Sequence, residues 1–175
     1  MNKNRNSDLT REASAAGRHR HILVIGYGNP LRSDDGIGWR IAHELRGRLD
    51  TSRIEVIECH QLAPEMADKI RLATLVIFVD AALEGFPGEV RHHRLDGMNA
   101  EVPSMAFSHG RTPGALMALA ADLYAASPEA HLFTVSGSLF RYGEALSREV
   151  EHVFPLVVAE IESLIGAAES GIAAR

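Results

Sequence analysis

The sequence predicts an α/β protein, specifically a three-layer sandwich with a mostly parallel five-stranded sheet, one antiparallel strand and helices on both faces. Apolar runs that are typical of strands alternate along the chain with segments of helical periodicity. The run at 75–80 is almost continuously apolar, which is typical of a central strand buried on both faces. A chain of 175 residues is long enough to form one domain with a sizeable core.

The predicted elements follow in order along the chain. Strands are short apolar or alternating runs, and helices repeat apolar residues every three or four positions. We predict strands at 21–26, 53–59, 75–80, 89–95 and 131–136, and helices at 36–49, 64–72, 112–126 and 147–165. The connection 81–88 is too short for a crossover helix, so the fourth strand is predicted to be antiparallel. Pro155 predicts a break or bend in the last helix.

The α/β domain is predicted to span 21–166, between a disordered leader at 1–20 and a flexible tail at 167–175. The leader lacks the apolar segment of a secretory signal, and no apolar run approaches membrane-span length. A net charge of −5 argues against a nucleic-acid partner. The single cysteine, Cys59, excludes an internal disulfide framework and a thiolate zinc cluster. We therefore expect a cytoplasmic protein that binds neither nucleic acid nor membrane.

The most informative motif is GYGNPLRSDDGIG at 26–38, a glycine-rich turn that follows the first predicted strand. Asp34 or Asp35 can cap the next helix, which leaves the other carboxylate over the strand end, where open α/β sheets hold their sites. A dinucleotide-binding G-x-G-x-x-G motif would need glycine in place of Leu31, and two negative charges disfavour pyrophosphate. The turn suits a cation, although both aspartates could simply cap and solvate the helix start.

Three potential metal ligands are predicted at the ends of elements. Asp35 follows the first strand, Asp80 ends the most apolar strand, and His109 precedes the helix at 112–126. The first and central strands are expected to be neighbours, so the two carboxylates share one sheet edge. Two carboxylates and an imidazole suit nickel, zinc, iron or manganese and leave coordination positions open. Asp80 could instead cap a loop, and His109 could be a solvent-exposed turn residue.

Four segments in this order resemble the NiFe-hydrogenase maturation proteases, which trim the C-terminus of the hydrogenase large subunit. They are 26–38, the strand end Phe78-Val79-Asp80, the pair Ser108-His109 and the segment YGEALSREV at 142–150. The resemblance covers about residues 21–165.

This resemblance implies a C-terminal endopeptidase that recognises nickel already inserted in its precursor substrate, without an organic cofactor. The family's metal-contacting set corresponds to Asp35, Asp80 and His109. Either aspartate is also a catalytic candidate, in an aspartic-type-like chemistry in which a carboxylate acts as a base. Whether nickel also polarises the scissile carbonyl or activates water is left open.

The segment CHQLAPE at 59–65 departs from the Asp-Gly-Gly-type turn of many members and is similar to the branch that serves cytoplasmic, cofactor-reducing hydrogenases. His60 and Asn29 are candidates for substrate contact or for supporting the metal ligands; His60 could also be an ordinary polar residue at a strand end. Cys59 and His60 are adjacent in an extended strand and point to opposite faces, which disfavours a thiolate–imidazolium pair. The segment 134–138 lacks the spacing of a G-x-S-x-G serine elbow.

Two other functions fit parts of the sequence. Peptidyl-tRNA hydrolases open with a similar strand and Gly-x-Gly-Asn-Pro turn, but that turn continues with a Thr-Arg-His-Asn-like segment, where this chain has Ser33-Asp34-Asp35-Gly36. A non-catalytic chaperone could use the same three ligands to hold nickel or the precursor without cleaving it.

Overall fold

The computed structural model describes residues 21–50, 52–95 and 112–171, so the predicted leader 1–20 and His109 lie outside the described residues. The described elements alternate between strand and helix. In chain order they are β1 (Ile22–Tyr27), α1 (Ile37–Arg48), β2 (Ile54–Cys59), α2 (Ala67–Ile70), β3 (Leu75–Ala82), β4 (Val90–Arg94), α3 (Pro113–Tyr124), β5 (Glu129–Ser136) and α4 (Arg148–Glu169). Two short 3₁₀ turns, Ser33–Gly36 and Pro64–Met66, lead into α1 and α2.

The five strands form one sheet in the order β2-β1-β3-β5-β4. Strands β2, β1, β3 and β5 are parallel to one another. The strand β4 pairs antiparallel with β5, as the short connection 81–88 predicts. β1 and β3 are neighbours, with Gly26 of β1 opposite Val79 of β3. The carboxyl ends of the four parallel strands therefore meet at one edge, which we call the carboxyl edge.

A separate apolar core lies on each face of the sheet. One face packs against α1 and α4 through residues such as Ile41 and Ile161. The opposite face packs against α2 and α3 through residues such as Ile70 and Leu116. Helices on both faces of a mostly parallel sheet confirm the predicted three-layer sandwich. Within the described ranges, no helix is both long and apolar enough to cross a membrane.

Several elements differ from the sequence-based prediction. The helix predicted at 64–72 begins as the 3₁₀ turn and is α-helical only over Ala67–Ile70. β3 continues past Asp80 to Ala82. α4 is continuous through Pro155 and extends to Glu169, so the predicted break is absent. Its buried stripe, from Val150 to Ile165, packs in the core that α1 and the sheet share, and this packing offsets the hydrogen bond that proline removes.

Close contact between glycines places the start of α1 at the carboxyl edge. A Cβ on Gly38 would lie 2.2 Å from the Val79 carbonyl oxygen and 2.5 Å from that of Tyr27. A Cβ on Gly26 would lie 2.0 Å from the Gly38 carbonyl oxygen. Only glycine permits this approach, which brings the acidic turn at 33–36 against β1 and β3.

Candidate active site at the carboxyl edge of the sheet

Asp80 is a buried carboxylate, with 1% of its surface exposed, near the end of the central strand. It lies one residue beyond the Gly26–Val79 pair and opposite Thr134 of β5. Alternation along β3 puts Asp80 on the same face as Phe78, the face that packs against α2 and α3. Its Oδ1 accepts the Ala81 main-chain N–H at 2.8 Å. Asp80 thus lies next to β1, as predicted, but two residues before the strand ends.

Asp35 lies in the 3₁₀ turn that connects β1 to α1, and its side chain is half-buried. Its Oδ2 accepts the Asn29 main-chain N–H at 3.1 Å, which closes the turn above the end of β1. Gly28, with φ of 128°, packs so closely on Asp35 that a Cβ there would lie 1.9 Å from the Asp35 carbonyl oxygen. The turn is therefore tight, and it holds Asp35 at the carboxyl edge, beside the strand that carries Asp80.

Asp34 does not cap α1, and neither does Asp35, so the expectation that one of the two aspartates caps this helix is wrong. The cap residue of α1 is Gly36, which has no side chain to accept a hydrogen bond. Asp34 is completely buried, and its carboxylate accepts three main-chain N–H groups from a distant loop. Oδ2 accepts from Ser138 and Leu139, both at 2.9 Å, and Oδ1 accepts from Ser147 at 2.7 Å. Asp34 thus anchors the loop 137–147 that leads into α4.

Further hydrogen bonds join this loop to the acidic turn. Ser33, whose φ of 52° is unusual for a residue with a side chain, donates its N–H to the Gly143 carbonyl at 2.8 Å. Gly143 in turn donates to the Leu31 carbonyl at 3.0 Å. Arg40 donates to the carbonyls of Pro30 and Glu144. The sequence did not predict this network. The only sequence feature that pointed to the loop was the YGEALSREV segment at 142–150, which is part of the family resemblance.

The other predicted site residues lie at or near the same edge. Asn29 is half-buried, and its Oδ1 accepts the Leu31 N–H at 3.0 Å, so its side chain shapes the turn. His60 is exposed and directly follows β2. Cys59 is the last residue of β2, opposite Tyr27 of β1. Burial, together with the negative charge of Asp80, raises the pKa of the Cys59 thiol to about 11.

The structure thus brings Asp35, in the turn after β1, and Asp80, in the neighbouring β3, to one edge, while His109, the third predicted ligand, lies outside the described residues. Across residues 21–50, 52–95 and 112–171, no group of three or more His, Cys, Asp or Glu side chains is arranged to hold a metal ion. Within those ranges, the site therefore consists of a buried and a half-buried carboxylate, with an uncharged thiol near the buried one.

Several solved structures share this fold. The hydrogenase maturating endopeptidase HybD from E. coli is 25% identical, with a TM-score of 0.66 over 86% of this chain and 94% of that chain. Two [NiFe] hydrogenase maturation proteases from Thermococcus kodakarensis match in fold. HybD is 24% identical with a TM-score of 0.66, covering 82% of this chain and 98% of that one. HycI is 21% identical with a TM-score of 0.68, covering 90% of this chain and 99% of that one. No protein-family model and no curated protein sequence matches the chain.

The fold and the acidic carboxyl edge define an α/β protein of the type found in these maturation endopeptidases. The family resemblance that the four sequence motifs indicated is confirmed by these solved structures, which are named as hydrogenase maturation endopeptidases and proteases.

Proposed function

We propose that this protein is an endopeptidase that removes the C-terminal extension of a nickel-loaded NiFe-hydrogenase large-subunit precursor. The observation that carries the proposal is that Asp35, in the turn after β1, and Asp80, in the neighbouring β3, lie at one carboxyl edge of a fold shared with hydrogenase maturation endopeptidases. In the proposal, Asp35, Asp80 and His109 together bind the nickel of the substrate. Nickel is thus part of the substrate, and no organic cofactor is required.

The chemistry of the two carboxylates supports this role. Like charges at one edge repel each other, and a bound cation removes that repulsion. Carboxylate oxygens are hard ligands that can bind a divalent ion. Thiolates, which would hold a transition-metal ion permanently, are not needed for this. Such a site favours an ion whose remaining ligands come from the substrate. The asymmetry of the pair also supports two roles, with buried Asp80 as a fixed ligand and half-buried Asp35 able to contact substrate.

We infer that the bond is broken by water rather than by a cysteine or serine. A thiol with a pKa of about 11 is almost wholly protonated at neutral pH, so Cys59 is a poor nucleophile. The Ser136 hydroxyl is buried and donates to the Glu84 carbonyl at 2.6 Å, and that of Ser33 donates to main-chain carbonyls of the 137–147 loop. A carboxylate at the carboxyl edge can accept a proton from an attacking water.

The test compares nickel-loaded and nickel-free precursor, incubated with the purified protein and measured by mass spectrometry. The proposal expects loss of the C-terminal peptide from the nickel-loaded form only. Asp35→Asn should abolish cleavage while the protein stays folded. Stable binding of the loaded precursor without cleavage would support a chaperone instead. In a parallel incubation with peptidyl-tRNA, release of the peptide from the tRNA would support the peptidyl-tRNA hydrolase alternative. Efficient cleavage of nickel-free precursor would refute nickel recognition.

The proposal also includes a cytoplasmic location, the absence of nucleic-acid binding and the processing of a cofactor-reducing hydrogenase. The net charge of −5 supports the second of these. The similarity of the CHQLAPE segment to the branch that serves cofactor-reducing hydrogenases supports the third. Exposed His60 follows β2 at the carboxyl edge, where it can contact substrate.

A further inference from the structure

Two loops at the carboxyl edge carry large apolar side chains that are almost fully exposed. Tyr142 is 87% exposed and Phe86 is 83% exposed. Leu31 and Leu83, in the segments that follow β1 and β3, are 53% and 51% exposed. Isolated exposed leucines are common on protein surfaces, but aromatic rings so fully in water need a reason. These four residues, which we call the apolar rim, belong to the segments around the two aspartates.

The main chain on each side of Tyr142 is fixed, although its ring is in water. Gly143 both donates to Leu31 and accepts from Ser33. The Arg141 carbonyl accepts from the Ser33 hydroxyl at 3.3 Å. The ring therefore projects from a segment hydrogen-bonded to the turn that carries Asp35.

Hydrogen bonds also fix the main chain at Phe86, on the β5 side of Asp80, while its ring stays in water. Its N–H donates to a Glu89 carboxylate oxygen at 3.0 Å, and its carbonyl accepts the Glu89 N–H at 2.8 Å. Gly85 and Gly88, with φ of 99° and 79°, allow this tight turn. Gly88 also donates to the Ser136 carbonyl at 2.8 Å, which ties the turn to the end of β5.

We propose that the apolar rim binds the precursor segment around the cleaved bond, through apolar side chains of that segment. This inference rests on the proposed function and names the substrate chemistry of the same site. Burial of an aromatic ring removes about 150–250 Å² from water, and fixed loops lose little conformational entropy on binding. Leu31 and Tyr142 lie on the β1 side of Asp80, and Phe86 lies towards β5. A peptide across the edge therefore has an apolar contact on each side of Asp80.

The test is a kinetic comparison of two double variants with wild type, on the nickel-loaded precursor. Tyr142→Ala/Phe86→Ala should raise KM about tenfold or more, as expected for truncated interface anchors, while kcat changes little. Tyr142→Phe should keep the wild-type KM, because the ring is retained. The matched control is Leu123→Ala/Leu156→Ala, two leucines on α3 and α4 that are each 61% exposed. Both double variants should melt at the wild-type temperature.

An unchanged KM in the rim variant, or an equal rise in the control, would overturn the inference while leaving the proposed protease intact. If wild type binds the precursor but does not cleave it, the proposed activity fails. The same variants then test the rim through their Kd for labelled precursor, where about a tenfold loss is again expected. If wild type neither binds nor cleaves the precursor, both proposals are wrong.

Discussion

Replacement of Asp34 by alanine is the sharpest test of how the acidic turn is built. The buried Asp34 carboxylate accepts three main-chain N–H groups of the 137–147 loop, at 2.7 to 2.9 Å. Asp34→Ala leaves all three donors without their acceptor. The adjacent variant Asp35→Asn is the matched control, because its amide oxygen can still accept the one N–H group, from Asn29.

The free-energy cost follows from these contacts. Hydrogen bonds to a charged acceptor contribute about 1.5–3 kcal/mol each, and the variant no longer has to desolvate a carboxylate, which offsets part of their loss. We therefore expect Asp34→Ala to lower the free energy of unfolding by about 3–5 kcal/mol. For a chain of this size, each kcal/mol lowers Tm by about 2–4 °C, so Tm should fall by roughly 10 °C. Asp35→Asn should cost less than about 1 kcal/mol.

Urea unfolding and thermal melts measure the cost, and amide hydrogen exchange locates it. Exchange should accelerate at Ser138, Leu139 and Ser147 in Asp34→Ala, and stay near wild type in Asp35→Asn. A helix cap would cost about 1 kcal/mol and leave that loop unchanged. A loss of that size with normal loop exchange would refute the anchor. A large loss in Asp35→Asn would show that the two aspartates have been assigned the wrong way round.

Three further predictions concern other parts of the molecule. At pH 8, iodoacetamide should modify Cys59 in the folded protein about 100-fold more slowly than a thiol of pKa 9.0, because the pKa of Cys59 is about 11. The variant Cys59→Ser should keep full processing activity. If this variant is folded but inactive, the water mechanism is contradicted. Gly38→Ala should destabilise by about 3 kcal/mol or more in urea, since a Cβ would overlap two strand carbonyls. Gly47 lies in the same helix with open space around it, so Gly47→Ala should stabilise the protein by about 0.5–1 kcal/mol. Equal effects of the two substitutions would disprove the close approach of Gly38 to the strands. Burial and the neighbouring His131 lower the pKa of His92 below 6.5, although Glu160 opposes this shift. The unfolded chain therefore binds this proton first, and stability should fall as the pH drops from about 6.5 towards the lowered value. His92→Gln should flatten that slope of unfolding free energy against pH, and an unchanged slope in this variant would rule out the assignment.

The sequence by itself determined the fold class and the position of both site aspartates along it. Alternating apolar runs and helical periodicity are local properties, and they place Asp35 after β1 and Asp80 near the end of β3. The short connection 81–88 also determined the antiparallel strand, because so few residues cannot cross back over the sheet. Parallel neighbours then bring both carboxylates to one edge.

Only the tertiary structure decided which neighbouring aspartate is structural. A cap and an anchor look identical in sequence, since both are an aspartate before a helix. The loop that Asp34 binds lies more than 100 residues away along the chain. Folding brings those N–H groups to a buried carboxylate, and a buried donor must find an acceptor. The continuity of α4 through Pro155 was decided in the same way, because packing of its apolar stripe against the sheet outweighs the local cost of the proline.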